Sequence, residues 1–159
     1  MNDKLLVYMA GDISKSRWRL EVIKECIDLP IEFLSPIDDV SYSYQSLVSA
    51  HQRKKVFHQA DTLKIKRADI IFAYFKTLDR ELFNDLKTTL YSGTSFECGV
   101  AYILGKPVIF VCDMPPAFAC KYELVARLTD PELRCESLDE GIDRLRELAW
   151  EMQFLPKED

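Results

Sequence analysis

Short apolar runs alternate with longer amphipathic stretches along the whole chain. Residues 4–10 (KLLVYMA) are apolar up to Gly11, the pattern of a buried strand that stops at a tight turn. From 16 to 28, Trp18, Leu20, Val22, Ile23 and Ile27 recur roughly at helical spacing, with Ser14 or Ser16 available as a cap. IEFLSP at 31–36 is a short strand closed by Pro36. Residues 37–50 are polar, tyrosine-rich and aperiodic, and are expected to be a loop that becomes helical. Val56, Ala60, Leu63 and Ile65 then share most of one helical face over about 49–67. ADIIFAYF (68–75) is the next buried strand, and a charged, irregular stretch runs from Lys76 to Leu90. GTSFECGVAYIL (93–104) predicts a helix ended by Gly105, and KPVIFVC (106–112) a fourth strand. A helix at 117–128, a weak strand at 133–136 and an amphipathic helix over 138–154 complete the series.

Strands alternating with helices imply βαβ units. The expected fold is therefore α/β, a doubly wound, mostly parallel five-stranded sheet with helices on both faces, in one domain over 1–159. Ligands of such sheets sit beyond the carboxyl ends of the strands, where the strand order reverses. That rule selects Gly11–Arg19, Phe75–Leu90, Cys112–Ala119 and the helix start at Ser92–Glu97.

Charge narrows the partners. Twenty-one basic against 26 acidic residues give a net charge of −5, which disfavours binding to a nucleic-acid polymer. The apolar runs are far shorter than a membrane span, and the first residues lack a signal-type pattern, so a cytoplasmic location is expected. Cys26, Cys98, Cys112, Cys120 and Cys135 are odd in number and form no CxxC pair. With two histidines in the chain, buried reduced thiols are the expected state, without a metal site.

Neither GxGxxG nor GxxxxGK[ST] is present; the first turn reads AGDISKSRWR. Gly11 still permits close backbone approach there. Glu97 stands among small residues (Gly93, Thr94, Ser95, Cys98 and Gly99) near a helix start, which leaves room for a ligand. Thr94 and Glu97 also fit a capping box, and the local pattern alone favours that structural reading. Asp61 is as readily a solvated helix residue, Asp69 a helix terminator, and Tyr8 a core tyrosine with a satisfied hydroxyl. His51, His58 and Arg53–Lys55 read as surface.

The order of the pieces says more. YMAG in the first strand, Asp61 before ADII, and SGTSFECGVAYILGKPVI together resemble the nucleoside 2-deoxyribosyltransferase family and the related nucleotide N-glycosidases. Gly93 to Val108 is the specific part, and the resemblance spans 5–112. It implies a flavodoxin- or Rossmann-like sheet and an enzyme that needs no cofactor. Glu97 would be the nucleophile, Asp61 a partner for protonation or orientation, and Tyr8 the residue that positions Glu97 or the sugar. Gly11, Asp12, Ile13, Trp18, Tyr91, Ser92, Gly93 and Thr94 would line the substrate pocket. The implied partners are nucleosides, nucleobases and further copies of the chain, with Cys112–Tyr122 closing a neighbour's site.

Two departures bear on specificity. Tyr91 stands six residues before Glu97, where many of the transferases carry Asp. Asp12 occupies the first turn, where the nucleotide hydrolases tend to have Ser, and its charge would repel a 5′-phosphate. Deoxynucleosides are thus expected over their monophosphates. Transfer to a second base is expected over hydrolysis, with Tyr91, Trp18 and Phe75 as candidate base-stacking rings.

Overall fold

A computed structural model describes residues 4–11, 17–36, 61–76, 92–113 and 123–154. The readings made above for Asp12, Ile13, Tyr91, Cys120, His51, His58, Arg53–Lys55 and the segments around them lie outside the described residues. Five strands form one sheet: β1 (Leu5–Gly11), β2 (Ile31–Leu34), β3 (Ile70–Lys76), β4 (Val108–Asp113) and β5 (Arg134–Cys135). Every pairing is parallel, in the order β2-β1-β3-β4-β5. The described helices are α1 (Arg17–Glu25), α2 (61–67), α3 (Ser92–Ile103), α4 (Glu123–Leu128) and α5 (Leu138–Phe154).

Both sheet faces are covered, which is why the strands read as unbroken apolar runs and not as alternating ones. Val7, Met9, Phe72, Tyr74 and Val111 pack with Trp18 and Val22 of α1 and with Ile142 and Leu145 of α5. On the opposite face Tyr8, Ala10, Ile71, Ala73 and Phe75 meet Ile65 of α2 and Cys98 and Ala101 of α3. The expected doubly wound architecture is the one observed, and the order reverses at β1, between β2 and β3.

Local chemistry fixes the register of the two central strands. The Asp69 carboxylate accepts from the Leu6 N–H at 2.8 Å, and the Asp69 N–H donates to the Leu6 carbonyl at 2.8 Å. These two hydrogen bonds, one to the Asp69 side chain and one between backbones, seat Val7 opposite Ile70 and account for Asp in ADII. At the far end of α3, Gly105 adopts φ 66°, and the Lys106 and Gly105 N–H groups close back on Ala101 and Tyr102 at 2.9 and 3.0 Å. Glycine suits this left-handed cap because it carries no Cβ to clash.

Two helix faces differ from the expected ones. Helix α1 stops at Glu25, so Ile27 is 83% exposed while Cys26 and Leu29 turn into the core. In α2, Leu63 is 62% exposed and Lys64 and Ile65 are buried. Apolar spacing marks a helix well but locates its buried face only to within a residue. The four described cysteines are free thiols, Cys26, Cys98 and Cys135 buried and Cys112 half-buried. Among the described residues no helix is long and apolar enough to cross a membrane.

Gly141 marks the closest approach of α5 to the sheet. A Cβ there would lie against Cγ2 of Val111 and 3.0 Å from Cζ of Phe72. Gly→Ala in a helix ordinarily stabilises by up to about 1 kcal/mol. Here overpacking costs about 1–3 kcal/mol and outweighs that gain. Gly141→Ala is therefore expected to lower the urea midpoint, and a midpoint at or above that of the parent chain would contradict this packing.

Candidate active site

The reversal of strand order at β1 opens a crevice at the carboxyl edge of the sheet, and three expected residues meet there. Tyr8, fully buried in the middle of β1, donates its hydroxyl hydrogen to Oε1 of Glu97 at 2.8 Å. Glu97 projects from the amino-terminal half of α3, and Asp61 from the start of the described part of α2. Asp61 interacts electrostatically with both the Tyr8 hydroxyl and Glu97. Parallel strands with helical crossovers explain the meeting: α2 and α3 both pack on the sheet face into which Tyr8 projects.

The capping-box reading of Glu97 does not hold. Helix α3 begins at Ser92 and has no acidic residue in its first turn, and Thr94 lies buried inside it. The Glu97 carboxylate is engaged with a tyrosine 89 residues away. A helix register two residues earlier than the motif suggests turns Glu97 inward.

Burial raises the Glu97 carboxyl from its ordinary 4.5 to about 7. The hydrogen bond from Tyr8 and the charge of Arg19 act downward, and the charge of Asp61 upward. Tyr8 is held well above its ordinary value by burial, by the charges of Glu97 and Asp61, and by hydrogen bonding to both. It therefore remains a donor across the accessible pH range. A half-buried carboxylate titrating near neutrality, oriented by a permanent donor and beside a second carboxyl, is equipped for nucleophilic attack with proton transfer.

The remaining candidates divide. Gly11 ends β1 beside this crevice, Ser92 opens α3, and Gly93 next to it is exposed. Trp18 corrects the expectation of a base-stacking ring. It is 4% exposed on the opposite sheet face, stacked on Phe72 at 6.1 Å and edge-on to Tyr74 at 5.3 Å. Its ring fills the space where a Cβ on Gly11 would fall, 2.7 Å from Cζ2. Phe75 is likewise core, fully buried 5.0 Å from Phe110. Both rings serve packing: the buried face of α1 turns Trp18 into one core, and strand alternation turns Phe75 into the other.

Two buried cations escaped the sequence reading. Lys64, one turn after Asp61, donates to the carbonyl of Ser35 just past β2. Arg19 donates to the carbonyls of Met9 and Gly11. Their signal was present: each is a charged residue next to an apolar one inside an amphipathic helix, where burial by a single-residue shift of the face is possible.

Comparison with known proteins bears on the fold and the family. No curated protein matches the chain. Among solved structures, a 2-deoxyribosyltransferase from the psychrotolerant bacterium Bacillus psychrosaccharolyticus is similar with a TM-score of 0.59 at 19% identity, over 87% of this chain and 90% of that one. The CMP N-glycosidase BcmB of Clostridium botulinum gives 0.53 at 17% identity, over 90% and 98%. At these identities the likeness is one of fold. The family described as Nucleoside 2-deoxyribosyltransferase matches residues 7–141, which include Tyr8, Asp61 and Glu97, and the chain belongs to that family.

Proposed function

We propose that this protein cleaves the N-glycosidic bond of deoxynucleosides through a covalent glycosyl intermediate on Glu97 and passes the sugar to a second base. The observation that carries the reading is the Tyr8–Glu97 hydrogen bond at the carboxyl edge of the sheet, with Asp61 beside it. A Glu97 carboxylate oxygen attacks C1′ as the C1′–N bond breaks, and the base departs with the bonding pair and takes up a proton from an acid, the role proposed for Asp61. An incoming base then attacks C1′, the ester bond to Glu97 breaks, and the proton lost by the new base returns to the acid. Two displacements retain the configuration at C1′. No step calls on a metal or an organic cofactor.

The proposed preference for nucleosides over monophosphates rests on the charge of Asp12, and Asp12→Ser is expected to narrow it. The preference for transfer rests on Tyr91, since Trp18 and Phe75 belong to the cores. Incubating the protein with deoxynucleosides, with and without a second base, and resolving the products tests the reading. A new β-nucleoside is the expected product. Free sugar alone would make the protein a hydrolase, and no cleavage of any nucleoside or nucleotide would leave a binding module on the same fold.

We further propose that the sites are completed by self-association. Phe96, next to Glu97, is 53% exposed, as are Tyr102 at 55% and Ile103 at 83% on α3 and Leu124 at 71% on α4. Apolar exposure of this extent beside a site supports a protein interface. Light scattering at micromolar concentration is expected to show at least a dimer, and a fully active monomer would contradict it.

A further inference from the structure

Arg19 occupies a place that follows from where the strands end. In β1 the odd-numbered residues direct their backbone groups toward β2, as the bond from the Leu5 N–H to the Pro30 carbonyl at 2.8 Å shows. Pairing with β2 stops at Tyr8 opposite Leu34, yet β1 continues beside β3 as far as Gly11. The carbonyls of Met9 and Gly11 therefore face a side on which, among the described residues, no strand pairs with them. Buried acceptors of this kind require a donor. Arg19, 3% exposed, supplies it: Nη2 donates to the Gly11 carbonyl at 2.9 Å and to the Met9 carbonyl at 3.3 Å. Its guanidinium carbon stands 4.4 Å from the Trp18 ring centroid, which holds the head group from the other direction.

The strand segment held in this way, Met9–Gly11, directly follows Tyr8, the donor to Glu97. We propose that Arg19 is a positioning residue for the reaction at Glu97: its guanidinium fixes the free end of β1 that directly follows Tyr8 and keeps a permanent cation near the nucleophile. The inference rests on Glu97 being that nucleophile. The groups acting on Glu97 are Tyr8 from β1, Asp61 from α2 and Arg19 from α1. On α3 itself, Cys98 is coupled to it, its thiol held up by burial and by the Glu97 charge. Arg19 is the one cation in that set. Removing it leaves burial and Asp61 opposed by the Tyr8 bond alone.

Arg19→Gln and Arg19→Lys separate the two parts of the proposal. The Glu97 midpoint is read by 13C NMR of the glutamate side-chain carboxyl carbons, assigned by its absence in Glu97→Gln, and the rate by the pH dependence of kcat and KM. Arg19→Gln is expected to raise the midpoint, the direction that follows from losing an opposite charge. Arg19→Lys keeps the cation, so its midpoint is expected to stay. Its kcat is expected to fall about tenfold above pH 8, with KM little changed, because an ammonium does not reproduce the placement of the planar fork. An unmoved midpoint in folded Arg19→Gln, or full kcat in Arg19→Lys, would overturn the proposal. A variant that merely melts earlier with an unchanged midpoint would mark a structural arginine and overturn it equally. Should Arg19→Gln not fold, the kcat and midpoint of Arg19→Lys decide. The NMR titration needs no turnover, so failure of the enzymatic reading, seen as activity retained by Glu97→Gln, is distinguishable from failure of this one.

Discussion

Glu97→Gln is expected to lower turnover by about 10³-fold or more while leaving the chain folded, because an amide has the shape of the carboxyl and lacks its nucleophilicity. It is also expected to abolish the sugar adduct that intact mass would detect with a slow substrate. The same variant makes a second, opposite change. Glu97 holds its proton more tightly in the folded chain, near 7, than in the unfolded chain, near 4.5. The folded state binds more protons over that interval, so stability falls as pH rises from about 4.5 through 7. Gln removes this penalty. Thermal melts are expected to show Glu97→Gln gaining on the parent chain above pH 7 and losing that advantage below about 4.5. Retained activity would return Glu97 to a structural role, and a stability difference independent of pH would contradict the raised carboxyl.

Tyr8→Phe is expected to have the next largest effect. The hydroxyl orients Glu97 and favours its charged form, and the Arg19 charge acts in the same direction. A hydrogen bond to a charged group contributes about 1.5–3 kcal/mol, so its loss at the nucleophile corresponds to a rate loss of roughly 10–100-fold. With the donor gone, the Glu97 carboxyl moves above 7. The acid limb of kcat/KM, which reports the free enzyme, is expected to shift upward by the same amount, so part of the lost rate returns at higher pH. A uniform loss at every pH would assign Tyr8 to the sugar and not to Glu97. The aromatic ring remains in the core in either case, so the melting temperature is expected to change little.

Particular elements show how much of this was written in the chain. The unbroken apolar runs at 68–75 and 106–112 announce strands of a sheet covered on both faces, and β3 and β4 are found within two residues of those bounds. Such runs are legible because burial on both sides demands apolar residues at every position. The segment GTSFECGVAYILGKPV was legible for another reason: it packs a helix start, a small-residue surround and a left-handed Gly105 cap into consecutive positions. Glu97 draws notice by its small-residue surround, but the roles of Tyr8, Asp61 and Glu97 could be named from the chain only through the family resemblance.

The sequence by itself determined the alternation of elements and the parallel sheet, both of which depend on spacing along the chain. Only the tertiary structure decided what those residues face. Glu97 reads locally as a cap until Tyr8, 89 positions away, is seen to hold it. Trp18 reads as a ring near the edge until strand alternation places Phe72 and Tyr74 against it. Arg19 has no stated role along the chain, and acquires one where pairing with β2 ends at Leu34 and the Met9 and Gly11 carbonyls turn to its guanidinium. The partner of a side chain depends on where a distant strand stops and on which face a helix turns inward, and neither is a property of the residues beside it.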